Sequence, residues 1–199
     1  MIIQRYMKRQ INLIVAVLLL GVLFIECKPK SEYRQIVDRE LASGITQDSL
    51  FLGIYFGMSS EDFYKRCWEL NKEGLIMEGG NNATVHYKLD KLKHKGAFEF
   101  YPIFKDEKLQ SMTGYAHYSA WAPWNTELFA DSLIEDFKGF LETWFGEGFI
   151  SVPSPGTGKA YAHVSGNRRI VLYYTKDERV EVLFTDLTND DGILTKKAS

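Results

Sequence analysis

The residues here whose types invite a chemical reading are four histidines, Cys67 and the stretch Gly156-Thr157-Gly158-Lys159. The glycine–lysine stretch suggests a phosphate loop. That loop needs a glycine where Pro153 stands and a Ser or Thr after the lysine, where Ala160 stands, so the motif is not made. His86, His94, His117 and His163 include no pair spaced four apart and no neighbouring cysteine, so no zinc pattern is present. Asp90 lies four residues from both His86 and His94, a spacing that aligns ligands only on a helix, and strand and loop are expected there. His86, His117 and His163 alternate with apolar residues and read as surface-facing strand histidines, two of which can share a sheet face. Cys67 falls on the apolar side of a predicted helix, where a buried thiol lacks the base a nucleophile needs. Asn189-Asp190-Asp191-Gly192 is too short for a calcium loop and reads as a turn. No catalytic residue, metal ligand or cofactor is assigned on these grounds.

The surface candidates are aromatic. Trp121 and Trp124, in Ser119-Ala120-Trp121-Ala122-Pro123-Trp124-Asn125, lie in a rigid loop able to form a platform for a partner or a glycan. Trp124 also stands where a hydrophobic staple against Phe129 is expected, with Trp121 either beneath it or facing outward. Tyr87, Tyr101, Tyr115, Tyr161 and Tyr173 all fall on predicted strands, and tyrosine suits interfaces because it offers a large contact area at small entropy cost.

The elements that position these residues follow from capping and periodicity. Gly57-Met58-Ser59-Ser60-Glu61-Asp62-Phe63 opens a helix with Ser59 as cap and Met58 stapled to Phe63. Pro123-Trp124-Asn125-Thr126-Glu127-Leu128-Phe129 repeats the device with Asn125 and Trp124. The first helix is expected over 60–72, ended by Gly74, with Phe63, Cys67 and Leu70 inward and Tyr64 and Trp68 widening that face. The second is expected over 126–145, ended by Gly146. Leu50 to Phe56 reads as a buried first strand. Strands follow at 85–89, 97–104 and 109–118, then at 160–164, 170–175 and 180–186, with Lys105–Lys108 and Lys176–Arg179 as hairpin turns. The interval from Gly74 to the Lys105 turn nearly equals that from Gly146 to the Lys176 turn, so both halves read helix and three strands. The fold expected is α+β: two tandem helix–three-strand repeats, 49–122 and 123–188, forming one curved antiparallel sheet with both helices on one face.

Gly57-Met58-Ser59, followed by Asp62-Phe63, resembles the opening of the BamE (SmpA/OmlA) family of small outer-membrane lipoproteins. The duplicated layout is similar to the tandem repeat of beta-lactamase inhibitory proteins. Leu70-Asn71-Lys72-Glu73-Gly74 replaces the Leu-Gly-x-Pro that commonly closes the family's helix. The chain also resembles envelope proteins of the Bacteroides type, a likeness that implies no activity.

Residues 1–27 read as a targeting segment: Arg5, Lys8 and Arg9 precede an apolar run from Leu13 to Ile25. The run is shorter than the about 20 residues of a spanning helix. Cys27 resembles the lipid-attachment cysteine of a bacterial lipoprotein signal, although Glu26 replaces the small residue usual before it. The alternative is an uncleaved anchor. Residues 28–48 read as a polar tether with a fraying helical turn or two, and 189–199 as a loose tail. The net charge of −2 gives no general attraction to nucleic acid. Together these readings imply a membrane-anchored protein of the bacterial cell envelope, binding an envelope protein without catalysis. A small-ligand sensor, or an enzyme with a dispersed site, is the alternative.

Overall fold

The computed structural model describes residues 30–80, 84–154, 156, 158–176 and 178–189. The chain divides into two units, 1–31 and 32–199, and the elements named below all lie in the second. The targeting segment with Cys27, the loop 81–83 and the tail from 190 lie outside the described residues. No described helix is long and apolar enough to cross a membrane.

The described residues form an α+β fold, with three α-helices and one open sheet of eight antiparallel strands. The helices are α1 (Glu32–Ala42), α2 (Ser60–Lys72) and α3 (Ala130–Phe145). The strands are β1 (Ile76–Glu78), β2 (Val85–Leu89), β3 (Gly96–Lys105), β4 (Lys108–Tyr118), β5 (Ile150–Ser151), β6 (Ala160–Ser165), β7 (Arg168–Lys176) and β8 (Arg179–Asp186). They lie side by side in the order β1-β2-β3-β4-β8-β7-β6-β5. Four strands thus follow α2 and four follow α3; the sequence reading has three in each half and misses the short β1 and β5. The β3–β4 turn places Asp106 and Glu107 at φ of 50° and 62°, the twist that a two-residue hairpin requires.

Strand alternation decides the core. Phe98 and Phe100 of β3, Met112 and Ala116 of β4, Val180, Val182 and Phe184 of β8, and Ile170 and Leu172 of β7 are all buried. Register puts Phe98 opposite Ala116 and Ile170 opposite Phe184, so these residues form one apolar sheet face. Gly114, opposite Phe100, leaves room for the Phe98 ring, whose edge would come within 2.7 Å of a Cβ there. Helix α3 lays Leu133, Ile134, Phe137 and Leu141 on this face, and each is fully buried. Phe51 closes the layer, edge-on to Phe100 at 5.0 Å and stacked on Trp144 at 5.1 Å.

Several expectations need correction. Leu50 to Phe56 is a tight turn rather than a strand. Leu52 and Gly53 take φ of 55° and 78°, and only Ser49 and Tyr55 form a bridge. The second helix does not start at Thr126. Residues Thr126–Leu128 form one 3₁₀ turn capped by Asn125, Phe129 is extended, and α3 begins at Ala130. Trp124 is 85% exposed and therefore cannot staple Phe129. Trp121 takes that place, its ring stacked 6.1 Å from Phe129. In α2, capping by Ser59 and termination at Gly74 hold, but Tyr64 and Trp68 face solvent. The tether contains a full helix, α1, which packs on β6 with Val37 buried, and its Glu40 accepts from the Gly166 amide at 3.1 Å.

The β6–β7 turn holds the segment before α2. Asn167 accepts from the Gln47 amide at 2.6 Å and donates to Asp186 at 2.9 Å, while Arg168 donates to the Ser49 carbonyl at 2.6 Å. Burial alone would push the Asp186 carboxyl up, but hydrogen bonds from Asn167, Thr188 and Asn189 hold it below its ordinary value. His163, expected at the surface, is buried beside Phe149 on the helix-facing side. Burial, and then the Arg168 charge, lower its pKa against the opposing effects of the Glu147 backbone, Glu142 and Glu40.

Two outcomes are expected. Phe184→Ala removes a fully buried ring from the centre of the sheet and should cost about 3–5 kcal/mol, read from the urea midpoint at constant slope. His163 titrates at about 6.5 when unfolded and lower when folded. Its contribution to stability is therefore complete above about pH 6.5 and is lost as the pH falls through the folded value. Urea midpoints at neutral and mildly acidic pH should fall less steeply for His163→Gln than for the wild type. Equal acid sensitivity in the two proteins would assign the effect to other groups.

Candidate functional site

The sheet face opposite α3 carries most of the polar residues of β2, β3, β4 and β8, whereas β6 places Ala160, Ala162 and Val164 on it. Register runs a row across it: His86 faces Glu99, Glu99 faces Tyr115, Tyr115 faces Glu181, and Glu181 faces Tyr173. The neighbouring row contains Tyr101, Thr113, Leu183 and Val171. On the other side, Lys88 faces Ala97 and Ala97 faces His117. Helix α1 reaches the far end of this face, where Arg169 donates to the Tyr33 hydroxyl at 3.4 Å.

Three of the five predicted tyrosines therefore share one surface. Tyr101 is exposed, and Tyr115 and Tyr173 are half-buried. The Arg179 guanidinium lies 4.7 Å over the Tyr115 ring and pairs with Glu181 at 2.7 Å, fixing the middle of the row. Burial pushes the Tyr115 and Tyr173 hydroxyls up, with Glu99 and Glu181 respectively adding to it. Both remain neutral donors at physiological pH.

The other two face α3. Tyr87 packs edge-on to Trp144 at 5.6 Å. Tyr161 donates to Glu135 at 2.6 Å and lies under the Lys138 ammonium. Both belong to the helix–sheet interface and are removed from the docking set. Trp124 is the most exposed large apolar side chain described, in the loop after β4 rather than on the sheet. Cys67 packs against the core, and burial pushes its thiol up to about 11, which matches an inert thiol. Lys159 of the glycine loop is tied to Asp131 at 3.2 Å and Glu135 at 3.1 Å.

Sequence reasoning missed the most constrained polar group of this face. Glu99 is only 5% exposed, and a carboxylate so placed needs partners. One oxygen lies 2.6 Å from His86 Nδ1, and the other accepts from Thr84 Oγ1 at 2.8 Å. Nδ1 of His117 lies 3.1 Å from the Tyr118 carbonyl. A carbonyl can only accept, so Nδ1 carries the proton there, and a carboxylate imposes the same tautomer on His86. Each neutral ring then presents the Nε2 lone pair. The signal was Phe98-Glu99-Phe100, a carboxylate inside an otherwise apolar run. Among the described residues, no group of three or more His, Cys, Asp or Glu is placed to hold a metal ion.

These bonds predict that neutral His86 and His117 are both Nδ1–H tautomers, read from imidazole nitrogen shifts in long-range ¹⁵N–¹H spectra. An Nε2–H form of His86 would show that Glu99 does not accept from it. Compared with known proteins, the chain matches no family model, no curated protein and no solved structure.

Proposed function

We propose that the protein is a non-catalytic binding module of the bacterial envelope, docking a protein partner on the sheet face opposite α3. The observation that carries this reading is the placement of Tyr101, Tyr115 and Tyr173 in adjacent rows of one face, with Arg179 held over the middle ring. Aromatic rings and arginine set among polar neighbours are the composition that protein interfaces favour. Attachment to the membrane through a lipid on Cys27 completes the reading; an uncleaved anchor is the other way of holding the chain there. Trp124 serves as a second contact in a separate loop.

The same proposal takes the fold as a tandem repeat, with α2 and α3 as equivalent helices on one side of the sheet. The element order supports it: four consecutive antiparallel strands follow each helix, and the sheet order mirrors itself about the β4–β8 pair. Resemblance to the BamE-type lipoproteins is a proposal on the same footing, carried by Gly57-Met58-Ser59 and Asp62-Phe63.

The test is site-directed photocross-linking in native envelopes from position 101, with position 65 on α2 as control. One discrete adduct is expected from position 101 and none from 65. It should weaken at least about tenfold in a folded Tyr115→Ala/Tyr173→Ala variant, the loss expected when central aromatic anchors are truncated. An adduct that survives this variant and vanishes with Trp124→Ala would move the site to the loop and overturn the sheet-face reading. So would the absence of a discrete adduct from position 101.

A further inference from the structure

A shallow cleft of about 460 Å³ lies at one end of the polar face, beside the tyrosine rows. Its volume falls within the range of small-ligand clefts. The cause is local. Ala97 of β3 is a small residue set between longer side chains on both flanking strands, Lys88 on β2 and His117 on β4. A groove one strand wide opens over it, walled by His86, Lys88 and Asp90 on one side and His117 on the other, with Lys95 at its end.

Apart from the Ser119 hydroxyl, which can donate or accept, the polar groups facing this groove are of two kinds. Lys88 and Lys95 are exposed and belong to no ion pair among the described residues, so two ammonium groups are available as donors. The remaining groups are acceptors. In the neutral rings the Nε2 atoms of His86 and His117 carry the lone pairs, since both Nδ1–H groups donate, to Glu99 and to the Tyr118 carbonyl. The Asp90 carboxylate is the third acceptor.

We infer that the cleft binds a small organic acid carrying one acid group and several hydroxyls, of the sugar-acid or hydroxy-acid type. The acid group lies between Lys88 and Lys95, and the hydroxyls donate to His86, His117 and Asp90. A neutral sugar gives the ammonium groups no charge partner. A bare carboxylate leaves the three acceptors unpaired, and a second acid group would meet Asp90. This inference stands apart from the docking reading, because Tyr101 and Tyr173 do not line the cleft.

The test uses the full chain and follows the His86 and His117 imidazole signals during titration with D-glucuronate. Saturable shifts at both rings are expected, with D-glucose and acetate each at least about tenfold weaker, a difference of about 1.4 kcal/mol. Lys88→Gln/Lys95→Gln changes only exposed side chains. It should leave thermal unfolding unchanged and weaken D-glucuronate binding at least about tenfold. Tighter binding of an otherwise neutral oligosaccharide ending in one glucuronate than of D-glucuronate would place the acid in a polymer, and equal binding would place it free in solution; both support the inference. Acetate or D-glucose binding as well as D-glucuronate would overturn it, as would a double lysine variant that binds like the wild type. Saturable zinc binding at both rings that excludes D-glucuronate would also overturn it, by assigning the Nε2 atoms to a metal.

Discussion

Between Ser111 opposite Thr185 and Ala116 opposite Val180, β4 and β8 pair in the middle of the sheet, and two separate meanders become one surface. Everything else in the second unit depends on that pairing. It aligns Met112 with Phe184 and Gly114 with Val182, so the apolar faces of the two halves merge into a floor long enough for α3. It also aligns Tyr115 with Glu181, so the polar faces merge as well. Neither half alone would bury α3, whose buried side chains meet β4, β7 and β8 together. The hydrophobic gain from covering one face is what leaves the other free for polar groups.

Much of this was legible in the residues. The Ser59 cap, the Gly74 stop and the Lys105–Lys108 turn are local devices, each decided within a few residues, and each holds. Where local signals compete, the reading fails. Leu50 to Phe56 is apolar enough for a strand, but Leu52 and Gly53 take left-handed conformations and the chain turns instead. Asn125 is a sound cap, yet it caps a single 3₁₀ turn because Phe129 remains extended before α3. β1 and β5 are three and two residues long, too short for any alternation to appear.

The tyrosines show what alternation cannot supply. Within one strand it sorts residues into two faces, but only the register with the next strand joins the faces together. Tyr87 is opposite Phe98, and Tyr161 is opposite Leu172, so both fall on the helix side; Tyr101, Tyr115 and Tyr173 fall on the other. A shift of one residue in β2 or β6 would reverse the assignment. The cleft was hidden for the same reason. His86, Lys88, Ala97 and His117 are ordinary residues until three strands bring them together, and only Glu99, a charge between two phenylalanines, marked the place in advance.

The sheet's two borders are built to be poor templates. Its outermost strands, Ile76–Glu78 and Ile150–Ser151, are the shortest of the eight. An open sheet normally invites a neighbour to extend it through the unpaired amides and carbonyls of its last strand. A border of two or three residues offers few such groups to another chain. Copies crowded together would then find little on these two strands to pair with.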